Sequence, residues 1–114
     1  MSVRNGRLYG CPVELALDVL DGKWKTVILA RIKQGPMRYR DLRKAMPDLS
    51  EKVLTQRLRE MEESGLIERV DIDAASGYQV TALGRSLGAA LESLYAWGDM
   101  YGRKTGVRYR PVVK

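Results

Sequence analysis

The sequence predicts a mainly α-helical chain with one small β-hairpin. Three observations predict it: apolar residues recur at helical spacing in runs cut by Gly and Pro, two short strand-like runs are confined to residues 66–81, and 114 residues suit one domain. Hydrophobic residues at 45% and charged residues at 30% give a globular balance, and the lack of Phe leaves the core to aliphatic side chains.

Residues 1–10 carry Arg4 and Arg7 among Gly6 and Gly10 without an apolar period, which reads as a flexible basic arm. Pro12 suits the first position of a helix whose apolar face is Val13, Ala16, Leu17 and Leu20, with Gly22 as its stop. A second helix spans residues 24–34, with Trp24, Val27, Ile28 and Ile32 inward and Gly35-Pro36 ending it. A third spans residues 39–46, turning Tyr39, Leu42 and Met46 inward and Arg38, Arg40, Arg43 and Lys44 outward, until Pro47 forces its end.

Ser50 offers an N-cap to a fourth helix that runs to Ser64, with Glu51 in its first turn and Gly65 beyond its end. Leu54, Leu58 and Met61 form its buried stripe. On the opposite side Lys52, Thr55, Gln56 and Arg59 stand three, four and seven residues apart and share one polar face. The hairpin follows: strands at residues 66–72 and 78–81, with residues 73–77 as a loop containing Gly77. Thr81 then caps a last helix with the face Leu83, Leu87, Ala90, Leu91, Leu94 and Trp97, ending near Gly102. Arg103, Lys104, Arg108, Arg110 and Lys114 make a loose basic tail. No repeat or linker divides the chain, so the expected organisation is an arm (1–10), a domain (11–102) and a tail (103–114).

Net charge is +6 and the pI about 9.7, which favours a polyanionic partner. No apolar run approaches the roughly 20 residues that cross a bilayer, and residues 1–4 lead into polar sequence instead of a signal-peptide core, so a cytoplasmic protein without membrane contact is expected. Cys11 is the single cysteine and there is no histidine. An intrachain disulfide is excluded, and no metal or other cofactor is expected. Ser-His and Cys-His catalysis is excluded too, and with no paired carboxylates or phosphate loop the chain does not read as an enzyme.

The chemistry concentrates in the helices at residues 39–46 and 50–64 and the turn between them. From residue 38 to 59, Arg38, Arg40, Arg43, Lys44, Lys52, Arg57 and Arg59 outnumber Asp41, Asp48 and Glu51 by four charges. The second helix of such a pair can lie in the major groove of double-stranded DNA while the first braces it across the backbone. Lys52, Thr55, Gln56 and Arg59 supply the base-reading mixture: Arg pairs with guanine, Gln with adenine, and a Thr methyl meets thymine. Arg38, Arg40, Arg43, Lys44, Ser50 and Arg57 are the candidate phosphate contacts. Trp24 and Trp97, at core spacing, are assigned to packing. Gly84 and Gly88 permit close helix approach, within the chain or across a dimer seam.

Taken together, the motifs resemble the HxlR-type winged helix-turn-helix regulators of bacteria and archaea. The matching stretches are Cys11-Pro12-Val13-Glu14, Gly22-Lys23-Trp24, Gly35-Pro36-Met37-Arg38-Tyr39 with Asp41-Leu42-Arg43, and the run Leu49-Ser50-Glu51-Lys52-Val53-Leu54-Thr55-Gln56-Arg57-Leu58-Arg59. Glu62, Gly65-Leu66 and Leu83-Gly84-Arg85-Ser86-Leu87 extend it, so that it covers roughly residues 11–101. The resemblance implies a transcription regulator acting as a homodimer, paired through its first and last helices, with two recognition helices in successive major grooves. The hairpin departs from the family pattern: it is short and carries Asp71 and Asp73, which repel phosphate, so its tip is expected to add little to DNA binding. Some members sense oxidants or electrophiles through an N-terminal cysteine, which makes Cys11 a candidate redox-sensing residue; a packing role stays equally open, and no small-molecule effector is assigned. The alternative function is a winged-helix module used for protein contacts.

Overall fold

Helix starts and stops follow the local chemistry of the chain, and the long-range contacts revise which faces are buried. The structure, a computed structural model, describes residues 8–21 and 24–107. Most of the expected arm, the Gly22 stop and the tail residues Arg108, Arg110 and Lys114 lie outside the described residues.

Pro12 opens α1 (Pro12–Val19), and α2 (Lys25–Ile32) follows. Trp24 does not belong to α2 as expected. It precedes the helix with φ at +87°, a conformation rare for a bulky residue, and packs half-buried against the core. The buried stripe of α2 is Lys25, Ile28, Leu29 and Ile32, while Val27, expected inside, is exposed. Positions 25, 28, 29 and 32 share a helical face from which 27 is rotated away.

β1 (Met37–Arg38) leads directly into α3 (Tyr39–Ala45), and α4 (Glu51–Glu63) begins behind Ser50, whose hydroxyl accepts from the Val53 amide at 3.2 Å. α4 ends in a Schellman motif: the Leu66 amide donates to the Met61 carbonyl and the Gly65 amide to that of Glu62, with Gly65 at φ +80°. Leu66 and Met61 are both buried, which supplies the apolar contact such a cap favours.

β2 (Ile67–Ile72) and β3 (Ala75–Val80) form the hairpin, and β1 pairs with the far edge of β3 to give the antiparallel order β1-β3-β2. The third strand was not expected: two residues carry no periodicity, and the pairing of Met37 with Tyr78 is set by distant sequence. The expected five-residue loop is also corrected. Ile72 pairs with Ala75, leaving Asp73 and Ala74 as a two-residue turn with φ of +49° and +64°. Gly77 lies inside β3, where a Cβ would collide with the Ile72 side chain and come within 2.9 Å of the Met37 carbonyl oxygen. Its lack of a side chain lets β1 and β2 close on β3 from both edges.

The expected final helix is two helices. Thr81 caps α5 (Ala82–Arg85) by accepting from the Gly84 amide, and α6 (Gly88–Thr105) then runs to a left-handed Gly106. Arg103 and Lys104, read as loose tail, therefore sit in the last turn of α6, where cations suit the helix dipole.

Ile28, Ile32, Leu42, Leu54, Leu58, Met61 and Ile67 form the solvent-free centre, drawn from α2, α3, α4 and the sheet. α1 contributes no buried residue and α6 only Gly102. Val13 is 65% exposed, Leu17 62%, Leu94 53% and Trp97 58%. Trp97, assigned to packing from its spacing, instead stacks on Tyr101 at the surface, with ring centroids 5.0 Å apart. Gly84 resolves the question left open by the small residues near it: a Cβ there would strike the Leu66 carbonyl oxygen and approach Val80 to 2.7 Å, so it serves packing within the chain. Around Gly88 there is open space.

Candidate nucleic-acid interface

The site rests on a braced turn between two helices. α3 ends at Ala45, and Leu49 anchors the turn by burying its side chain and donating its amide to the Met46 carbonyl. Arg43 reaches across and donates from Nη1 to the Leu49 carbonyl oxygen at 3.1 Å. An arginine expected to meet phosphate thus also holds the turn that sets the direction of α4.

Beyond the turn, Leu54, Leu58 and Met61 are buried and Lys52, Thr55, Gln56 and Arg59 are all exposed, so the predicted polar face of α4 is one outward surface. Two of its residues are not independent. Thr55 Oγ1 lies 3.1 Å from the Tyr39 hydroxyl, and Gln56 Nε2 donates to Glu60 Oε2 at 3.4 Å.

The candidate phosphate contacts divide by environment. Arg40 and Lys44 are exposed on α3. Arg38 is half-buried in β1 and pairs with Asp73 at 3.3 Å, tying the hairpin turn to the strand before α3. Arg57 is half-buried and pairs with Glu60 at 3.0 Å, to the side of the polar face. Ser50 directs its hydroxyl to the cap of α4. Asp71 and Asp73 are exposed on the hairpin, so acidic charge does stand at its tip.

Sequence reasoning missed Lys25 and Glu60. Lys25 is 4% exposed, yet its ammonium reaches the Val19 carbonyl oxygen at 3.3 Å and Glu60 Oε1 at 3.5 Å. Burial pushes the Glu60 carboxyl upward, but the Arg57 hydrogen bond and the Lys25 and Arg57 charges outweigh it and hold the group below the usual range. The detectable signal was a lone lysine in the stripe 25, 28, 29, 32. Among the described residues no group of three or more His, Cys, Asp or Glu side chains could hold a metal ion, and no helix is long and apolar enough to cross a membrane.

The turn-linked pair α3–α4 and the hairpin after it lie within residues 19–105, the stretch that matches the sequence pattern of the HxlR-like helix-turn-helix family. The chain belongs to the HxlR-like family. An HTH-type transcriptional regulator of Methanothermobacter thermautotrophicus is 37% identical over 97 residues, covering 82% of this chain and 74% of its own. YtcD of Bacillus subtilis, another HTH-type transcriptional regulator, is 41% identical over 93 residues, covering 79% and 74%. In its crystal structure the TM-score is 0.73 at 39% identity, over 80% of this chain and 96% of that one. The redox regulator HypR in its oxidized form has a TM-score of 0.70 at 32% identity, over 79% and 96%. The HxlR-like chain is accordingly a winged-helix transcriptional regulator of HTH type, a DNA-binding protein and not an enzyme.

Proposed function

We propose that the chain reads specific double-stranded DNA sequences in the cytoplasm as a homodimer. The observation that carries this is the face of α4: Lys52, Thr55, Gln56 and Arg59 stand exposed on a helix whose other side is core and whose approach is set by a braced turn. These four supply donors, an amide and a methyl for base edges. Arg40 and Lys44 hold phosphates from α3. Arg38, Arg43, Arg57 and Ser50, which also bond within the chain, add positive field or helix-end amides beside them. Asp73 of the hairpin tip pairs with Arg38, so the tip itself adds little attraction for the backbone.

Pairing is supported by the apolar side chains that α1 and α6 leave in water, including Val13, Leu17, Leu94 and Trp97. A second copy laid against them removes that surface from solvent. Two α4 helices related by a two-fold axis then meet half-sites about one helical turn apart.

The test is affinity against salt concentration on duplexes selected by the wild-type protein and on scrambled duplexes. Gln56→Ala is expected to cost about 1–3 kcal/mol on selected DNA only, and Lys44→Ala to weaken both duplexes alike and lower the salt slope by about one. Alanine tolerance at both positions, with salt-insensitive partner binding, would turn the assignment to the alternative of a protein-contact module.

A second reading concerns Cys11. Its thiol is exposed at the N-terminal boundary of α1, a helix of the proposed dimer seam, and the similar HypR carries the name of redox regulator. Oxidation or addition of an electrophile at Cys11 would change that seam and with it DNA affinity. Cys11→Ser is expected to abolish DNA release by peroxide or quinone; release equal to that of wild type assigns the thiol to packing.

A further inference from the structure

One carboxylate gathers three donors from two helices. Glu60 on α4 accepts from Arg57 Nη1 at 3.0 Å and from Gln56 Nε2 at 3.4 Å, and its Oε1 lies 3.5 Å from the ammonium of Lys25 on α2. Lys25 is buried and held from its other side by the Val19 carbonyl oxygen, so the carboxylate is tied to the core and not only to its own helix. That tie reaches a residue of the exposed polar face.

The consequence for Gln56 is orientational. A carboxylate only accepts hydrogen bonds, so the amide must turn its nitrogen toward Glu60 and its oxygen away. Pairing with adenine needs one amide N–H for N7 and the carbonyl oxygen for the N6 amino group. With one N–H held by Glu60, the second N–H and the oxygen remain for the base in one of the two possible amide orientations. Flipping the amide would bring two acceptors together.

We propose that Lys25 and Glu60 are positioning residues for base recognition, the buried lysine fixing the carboxylate and the carboxylate fixing the amide of Gln56. This rests on the reading of α4 as the base-reading helix. Neither residue touches DNA in the proposal; both act through Gln56.

The experiment measures discrimination at each base pair of duplexes selected from a random library by the wild-type protein, beside thermal unfolding. Glu60→Leu alone leaves the buried Lys25 ammonium without its carboxylate, and Lys25→Met alone leaves Glu60 with only the Arg57 cation; both are expected to lower the melting temperature. The double variant Lys25→Met/Glu60→Leu removes both charges and is expected to recover stability. It should nonetheless lose, as Gln56→Ala does, about fivefold or more of the discrimination at one base pair per half-site, with an unchanged salt slope. Glu60→Asp keeps the charge but withdraws it by one carbon, and is expected to fold and show the same loss. Wild-type discrimination in a folded double variant or in Glu60→Asp, beside a loss in Gln56→Ala, overturns the relay and leaves the reading of α4 intact. Wild-type discrimination in Gln56→Ala overturns both.

Discussion

The hydroxyl of Tyr39 lies 3.1 Å from that of Thr55 and 3.5 Å from the Glu51 carbonyl oxygen, joining the first turn of α3 to the exposed face of α4. The contact links the two helices near their N-terminal ends. Tyr39→Phe keeps the ring and removes the link. It is expected to cost less than about 1 kcal/mol in chemical denaturation, since the hydroxyls can turn to water, while lowering affinity for selected DNA more than for scrambled DNA. Equal losses on both duplexes would show that the hydroxyl meets phosphate and does not position Thr55.

The hairpin turn stores strain that glycine would relieve. Asp73 and Ala74 both have positive φ, as a two-residue turn matching the strand twist requires, and Ala74 has no polar side chain to ease that conformation. Ala74→Gly is expected to stabilise the chain by about 1 kcal/mol and raise the melting temperature by several degrees. A lower melting temperature would mean that the turn adopts another conformation in solution.

Gly84 admits no side chain. The Leu66 carbonyl oxygen and Val80 occupy the space of its Cβ, so Gly84→Ala must push α5 off the sheet. About 1–3 kcal/mol should be lost in urea titration, and Gly88→Ala, where nothing stands in the way, is the control expected to cost less.

The exposed faces of the terminal helices carry the prediction on assembly. Leu94→Glu with Tyr95→Glu replaces two apolar side chains, 53% and 78% exposed in the single chain, with charged ones. Sedimentation should shift from dimer to monomer at micromolar concentration, with weaker binding to paired half-sites, while the fold survives because neither residue enters the core. A wild-type chain that sediments as a monomer at that concentration removes the proposed seam.

Glu60 makes the stability depend on acid. Its carboxyl titrates below its ordinary value of 4.5 in the folded chain and near that value when unfolded, so its contribution is present above the ordinary value and fades as pH falls through the lowered one. Stability measured from neutral pH downward should therefore fall less steeply in Lys25→Met/Glu60→Leu than in the wild type. An identical slope would mean that other carboxylates govern the acid limb.

The elements legible in the sequence were those whose cause is local. Pro12, the Ser50 cap, the Gly65 stop and the stripe Leu54, Leu58, Met61 are set by neighbours within a turn or two, and the polar face of α4 followed from the same period. Tertiary structure decided the rest, because it depends on residues far apart in the chain. Two-residue β1 is a strand only because β3 lies beside it, and Gly77 belongs to β3 because Met37 and Ile72 crowd it from either side. Spacing gave Trp97 a core position, but among the described residues no element covers that side of α6, so the residue remains exposed. Lys25 was illegible for the opposite reason: its burial depends on Glu60, thirty-five positions later, which compensates a charge that no local rule would place inside.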